Sequence, residues 1–107
     1  MANTFKLKVA DGVTGATTIY TVPGATTAII VGLVVANDAG ADTTATVTVT
    51  DSSAAVTVKL CALTPVPAAS NLVVLTNNNR IVLETGDSLA VTAVAACDVT
   101  LSVMEIT

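Results

Sequence analysis

The chain is written with a period of two. From position 43 it reads TTATVTVTD, placing Ala45, Val47 and Val49 on one side and Thr46, Thr48 and Thr50 on the other. A β-strand turns successive side chains to opposite faces, so this run buries one face and wets the other. No segment of any length carries the 3.6-residue period of an amphipathic helix. The same alternation recurs in TFKLKV (4–9), where Phe5, Leu7 and Val9 oppose Lys6 and Lys8, and the lysine face is expected to be wet. It recurs in AVTVKLCAL (55–63), with Val56, Val58 and Leu60 on one face, and in SLAVTAV (88–94) and DVTLSVMEI (98–106). TTAIIVGLVVAN (26–37) is apolar on both faces and predicts a central strand covered on both sides.

Turn residues separate these runs. GVTG precedes the expected strand ATTIYTV (16–22), and Pro23-Gly24 follows it, with Pro presetting φ and Gly free to take a positive one. NDAGAD (37–42) and the SSA triplet read as loops. TPVPAASN (64–71) predicts a long crossing loop, because its prolines donate no ladder hydrogen bond. NLVVL (71–75) and RIVLE (80–84) predict a hairpin joined by TNNN, since Asn tolerates the left-handed region. Eight or nine short strands with turn signals every 8 to 12 residues predict an all-β fold. The specific expectation is a single antiparallel β-sandwich over residues 1–107, jelly-roll or Ig-like in topology. A chain of 107 residues supports one such core.

Composition restricts function more than it assigns it. Thr, Ala and Val make up roughly half of the chain, and charged residues only 11%, against about 25% in an ordinary soluble domain. The four cations, Lys6, Lys8, Lys59 and Arg80, do not cluster, and the net charge is −4. Nucleic-acid binding needs several phosphate-neutralising cations on one face, so it is not expected. No basic amphipathic helix is available to bind a membrane. The longest apolar run, AIIVGLVVA (28–36), is about half of a membrane-crossing helix. MANTFKLKVADG lacks an apolar signal region, so synthesis in a cytoplasm is expected.

The search for chemistry finds little. There is no His to act as a base for a Ser, Thr or Cys nucleophile, and no glycine-rich phosphate loop. Glu84-Thr85-Gly86-Asp87-Ser88 holds two carboxylates between apolar strands and reads as a turn bonded to its own backbone, with a Ca²⁺ site as the alternative. Asn37, Asp38 and Asp42 around Gly40 form an acidic loop without the spacing of a calcium motif. Cys61 and Cys97 read as two small half-buried hydrophobes, with a disulfide as the alternative. The aromatics are Phe5 and Tyr20. Phe5 is expected in core or interface packing, and Tyr20 half-buried with a wet hydroxyl. No catalytic, cofactor or metal residue is assigned, and no enzymatic activity is expected. Few charges on an apolar β-framework suit a protein that covers its exterior with neighbours, so a homo-oligomer or a component of a larger assembly is expected.

Three stretches, IYTVPGATTAIIVGLVVAN (19–37), TPVPAASNLVVL (64–75) and NRIVLETGDSLAVTA (79–93), together with the terminal DVTLSVMEIT (98–107), resemble small accessory structural proteins of tailed bacteriophages. The resemblance covers nearly the whole chain and rests on turns and apolar strands. It implies a non-enzymatic β-sandwich of the virion, foremost a capsid decoration (cement) protein bound to the major capsid protein. Its alternative is a neck, tail or fibre-base component, and a glycan- or calcium-binding module is the reading from another class. A protein made in the host cytoplasm would then leave the cell within the particle. The segment MANTFKLKV either reaches a neighbouring molecule or pairs within its own sheet.

Overall fold

A computed structural model of the chain describes residues 3–76 and 80–107. Among these there is no helix. Seven strands, β1 Asn3–Thr21, β2 Thr27–Asn37, β3 Thr43–Asp51, β4 Val56–Val66, β5 Ser70–Leu75, β6 Ile81–Leu83 and β7 Ser88–Ile106, form one curled antiparallel sheet. The fold is thus all-β, as the alternation predicts. Its strands are fewer and longer than expected, because β1 runs through the GVTG turn and the expected strands SLAVTAV and DVTLSVMEI are one strand, β7.

The framework is a two-stranded ribbon. β1 runs antiparallel along one edge of β7 from Asn3↔Ile106 to Thr21↔Ser88. The other edge of β7 is shared. β3 takes its first half (Thr50↔Ser88 to Ala45↔Ala93), and β2 takes its second (Ala36↔Asp98 to Thr27↔Ile106). β4 extends the first half beyond β3, and β5 and β6 extend the second beyond β2. Nineteen extended residues would span roughly 60 Å. The longest dimension of the molecule is 45 Å, so the ribbon must bend.

The bend is visible in the register. Two residues of β1, Asp11 and Gly12, oppose the single Asp98 of β7 between the pairs Ala10↔Val99 and Val13↔Cys97, and β7 then bulges between Cys97 and Ala93. Gly12 and Gly15 take φ of 64° and 66°, a region costly for other residues. The expected GVTG turn is therefore a pair of bulges inside one strand. The change of neighbour on β7, from β3 to β2, falls across the same 94–97 corner.

The parity of β7 survives that corner. Leu89, Val91 and Ala93 before it, and Cys97, Val99, Leu101 and Val103 after it, are all buried in one core with Ile30, Leu33, Val35, Val47 and Val66. The two halves of the sheet thus turn their concave faces onto the same interior. β3 behaves as predicted: Ala45 and Val47 are fully buried and Thr46, Thr48 and Thr50 face outward. β2 is central, but only one of its faces is fully buried. Ile29, Val34 and Ala36 on the other are half-exposed.

Other expectations are corrected. Thr64, Pro65 and Val66 end β4 and pair with β3, so the crossing segment shrinks to a short turn at 67–69. The proline is tolerated because β4 is an edge strand, whose outer ladder has no partner to bond. β5 and β6 do not form a hairpin. Both lie antiparallel to β2, end to end, as one interrupted edge; residues 77–79 of the expected TNNN turn lie outside the described residues. In the Pro23-Gly24 turn the positive φ falls on Ala25 (53°) rather than on the glycine. β1 is inverted relative to expectation: Phe5, Leu7 and Val9 are 74%, 64% and 66% exposed, while Lys6 turns to the inner side.

Candidate functional site

Two buried polar ties join the halves of the sheet across the core. At one end, the Tyr20 hydroxyl on β1 donates to Glu105 Oε2 on β7, and Lys6 Nζ lies 2.9 Å from Glu105 Oε1. Tyr20 and Glu105 are 4% and 5% exposed, so the expected wet hydroxyl is instead a buried donor. The two residues are neighbours only because the ribbon folds back: Tyr20 pairs with Leu89 in the first half, while Glu105 faces Thr4 in the second. The Tyr20 bond, followed by the Lys6 contact, holds the Glu105 carboxyl below its usual range, and burial with that bond pushes the Tyr20 phenol up. This inversion of β1 has a physical reason. A carboxylate on the core face needs a cation, so Lys6 points inward and its apolar neighbours point out.

At the other end the tie is Asn37. Its Nδ2 donates to Val66 O on β4 (3.0 Å) and to Ala41 O (2.9 Å), and its Oδ1 accepts from Ala39 N–H (3.0 Å). One donor thus ties β2 to β4, and the other bonds hold the loop after β2. Asp42 Oδ1 accepts from Ala68 N–H (2.9 Å), which anchors the turn between β4 and β5. In the acidic loop, then, Asn37 and Asp42 are taken up by backbone groups, those of Asn37 in the loop and on β4 and that of Asp42 in the β4–β5 turn. Around it lies an open depression of about 520 Å³ lined by Asn37, Asp38, Ser70 and Asn71.

The same end carries two carboxylates that the sequence did not single out. Asp98 Oδ1 accepts from Gly12 N–H (3.1 Å), and the Asp98 carboxylate beside Asp11 raises the Asp11 pKa, first through a shared hydrogen bond and then through charge repulsion, to which Asp38 adds. Among the described residues, no three of His, Cys, Asp and Glu gather as a metal-ligand set.

The Glu84–Ser88 turn is built as the sequence predicts. Asp87 Oδ2 accepts from Glu84 N–H (2.8 Å), Asp87 N–H donates to Glu84 O (3.0 Å), and Gly86 sits at φ 86°. Asp87 Oδ1 also receives Ser52 N–H (3.0 Å), clasping the β3–β4 turn. The backbone donors of Glu84 and Ser52 hold the Asp87 carboxyl below its usual range. Cys61 and Cys97 are both free thiols, Cys97 fully buried and Cys61 half-buried.

The convex faces of the two halves differ. Outside the first half stand Thr46, Thr48, Thr50, Thr57 and Thr92, with the exposed Lys59 opposite Thr48. Outside the second stand Phe5, Leu7 and Val9 on β1, Met104 on β7, and Val73 and Val82 on β5 and β6. Register places them side by side: Phe5 and Ile29 both face Met104, and Ile29 in turn faces Val82. In the sequence, the Phe5 face of TFKLKV reads as the inner one, because nothing local shows that Glu105 claims the lysine. Glu105 itself was legible: in DVTLSVMEI it shares parity with Val99, Leu101 and Val103, which places a carboxylate on a core face.

No family model matches this chain, nor does any curated protein. No solved structure matches it either.

Proposed function

We propose that this chain is a non-enzymatic structural protein of a tailed-phage virion, foremost a decoration protein that binds the assembled capsid. The observation that carries the reading is the apolar convex face of β1, β7, β2, β5 and β6. Monomeric soluble proteins rarely leave such a face to water, and it marks a site of protein association. The convex face of the other half, covered mainly by threonines and Lys59, shows the polar alternative within the same molecule. The sequence resemblance to accessory virion proteins supplies the kind of assembly. A cement protein acts by binding the completed shell in preference to its free subunits, which shifts the equilibrium toward the shell, and repeated copies on a lattice add avidity.

The same reading takes the fold as a β-sandwich. Its walls are the two halves of the sheet, its corner the bulged 94–97 segment, and its ties Tyr20–Glu105 and Asn37–Val66. The single shared core and these cross-core bonds support it.

The test is to locate the native protein in lysates of its source, by antibody blotting of gradient-purified particles followed by immunogold microscopy. Dense label over heads is the expected result. Label confined to one vertex or to tails moves the protein to the neck, tail or fibre base. Protein that stays with no particle overturns the virion reading.

A further inference from the structure

We infer that the apolar convex face of the second half is a two-fold interface between two copies of this chain. The inference deepens the assembly reading proposed above, because it names the first neighbour that covers this face.

Size is the first argument. The face crosses four strands about 4.8 Å apart and extends over roughly nine residues at about 3.3 Å each, so its projection is on the order of 600 Å². Two such faces pressed together bury at least about 1,200 Å², the lower bound of stable, specific interfaces. The placement of its apolar edges is the second. The exposed Phe5, Leu7 and Val9 on β1 and the exposed Val73 and Val82 on the far edge stand at its two sides, about the row where Ser102 pairs with Gly32. Each apolar edge of one copy can therefore meet its counterpart in the other, as when two sheets stack about 10 Å apart.

Charge fixes the orientation. Lys6 turns inward to Glu105 and so puts no charge on the face. The acids Asp11, Asp38 and Asp98 gather beyond the end where β2 leaves the sheet. A two-fold axis in the interface plane, running across the strands, puts the acidic end of each copy over the Phe5–Met104 end of the other. The acidic clusters then sit about 30 Å apart, several Debye lengths at physiological salt. An axis along the strands would superpose them. An isologous contact of this kind closes at two copies.

Sedimentation velocity on the purified full chain tests this, with Leu7→Glu and Val73→Glu as face variants and Thr48→Glu on the threonine-covered face as control. All three side chains lie on outward faces of the sheet, and circular dichroism checks that each variant folds. The expected result is a wild-type dimer with Kd near or below about 10 μM, weakened tenfold or more by each face variant and unchanged by Thr48→Glu. A wild-type chain still monomeric at about 1 mM overturns the inference, as does a trimer or larger ring, or a dimer indifferent to both face variants. The virion reading fails separately: a dimer that never associates with particles sinks that reading and leaves this one standing.

Discussion

Glu105 carries an ionised group into a core of Val, Leu and Ile, and only Tyr20 and Lys6 make this tolerable. Tyr20→Phe removes a hydrogen bond to a charged group and is expected to cost about 1.5–3 kcal/mol in urea unfolding. Glu105 and Asp87 both have depressed folded values, so each contributes stability that is complete above its unfolded value, near 4, and lost as pH falls through the folded value. Urea midpoints should hold from neutrality down to about pH 5 and then fall, with Glu105→Gln flattening part of that fall. Asp11 has the opposite sign. Its folded value is raised, so its favourable bond with Asp98 exists at low pH and is lost as pH rises through that value. Asp11→Asn should therefore raise the melting temperature at pH 7 and leave it unchanged at pH 3. Gly86 has both a positive φ and Ser52 Oγ 2.8 Å from where a Cβ would stand. Gly86→Ala is expected to cost more than about 1 kcal/mol, read as a lower melting temperature.

β7, like β2 and β3, has partners along both edges over most of its length, whereas β1 has β7 on one edge only. Their amides should exchange accordingly. Hydrogen exchange is expected to show nearly continuous protection through 88–93 and 98–106, against alternating protection in β1 and a fast segment at its 11–14 bulges. Uniform protection of β1 would mean that something else pairs with its outer edge. Within β4, Leu63 stands at φ 48° with its N–H bonded to Thr46 Oγ1 (2.9 Å). A left-handed leucine is a costly conformation, and this bond is what the local structure offers in return. The bulge it makes carries β4 through a shift of register against β3.

The whole molecule holds together because two halves of one sheet share one interior. Leu101 sits fully buried in the middle of that interior, between β1 and β2. Leu101→Ala should cost about 2–5 kcal/mol. Loss of both halves in a single unfolding transition is expected, since neither has a core of its own. The position of Cys97 in the same core makes it a reporter. Burial raises its pKa, so thiol reagents should leave it unmodified until global unfolding, while half-buried Cys61 reacts in the folded chain.

The residue order determined the class of structure and the inward side of most strands, because strand parity is local: a two-residue alternation such as Ala45-Thr46-Val47-Thr48 permits one burial pattern. It also determined the Glu84–Ser88 turn, whose Asp87 reaches backbone only three residues away. Contacts between residues far apart in the chain decided the rest. The bulges at Gly12 and Gly15 became bends instead of turns because β7 continues beside them. β5 and β6 became one interrupted edge because β2 offers both the same ladder. The inversion of β1 was settled by Glu105, about a hundred residues away, whose buried charge draws Lys6 inward. The alternation in TFKLKV states that two faces differ; which face is inside depends on what the opposite wall requires.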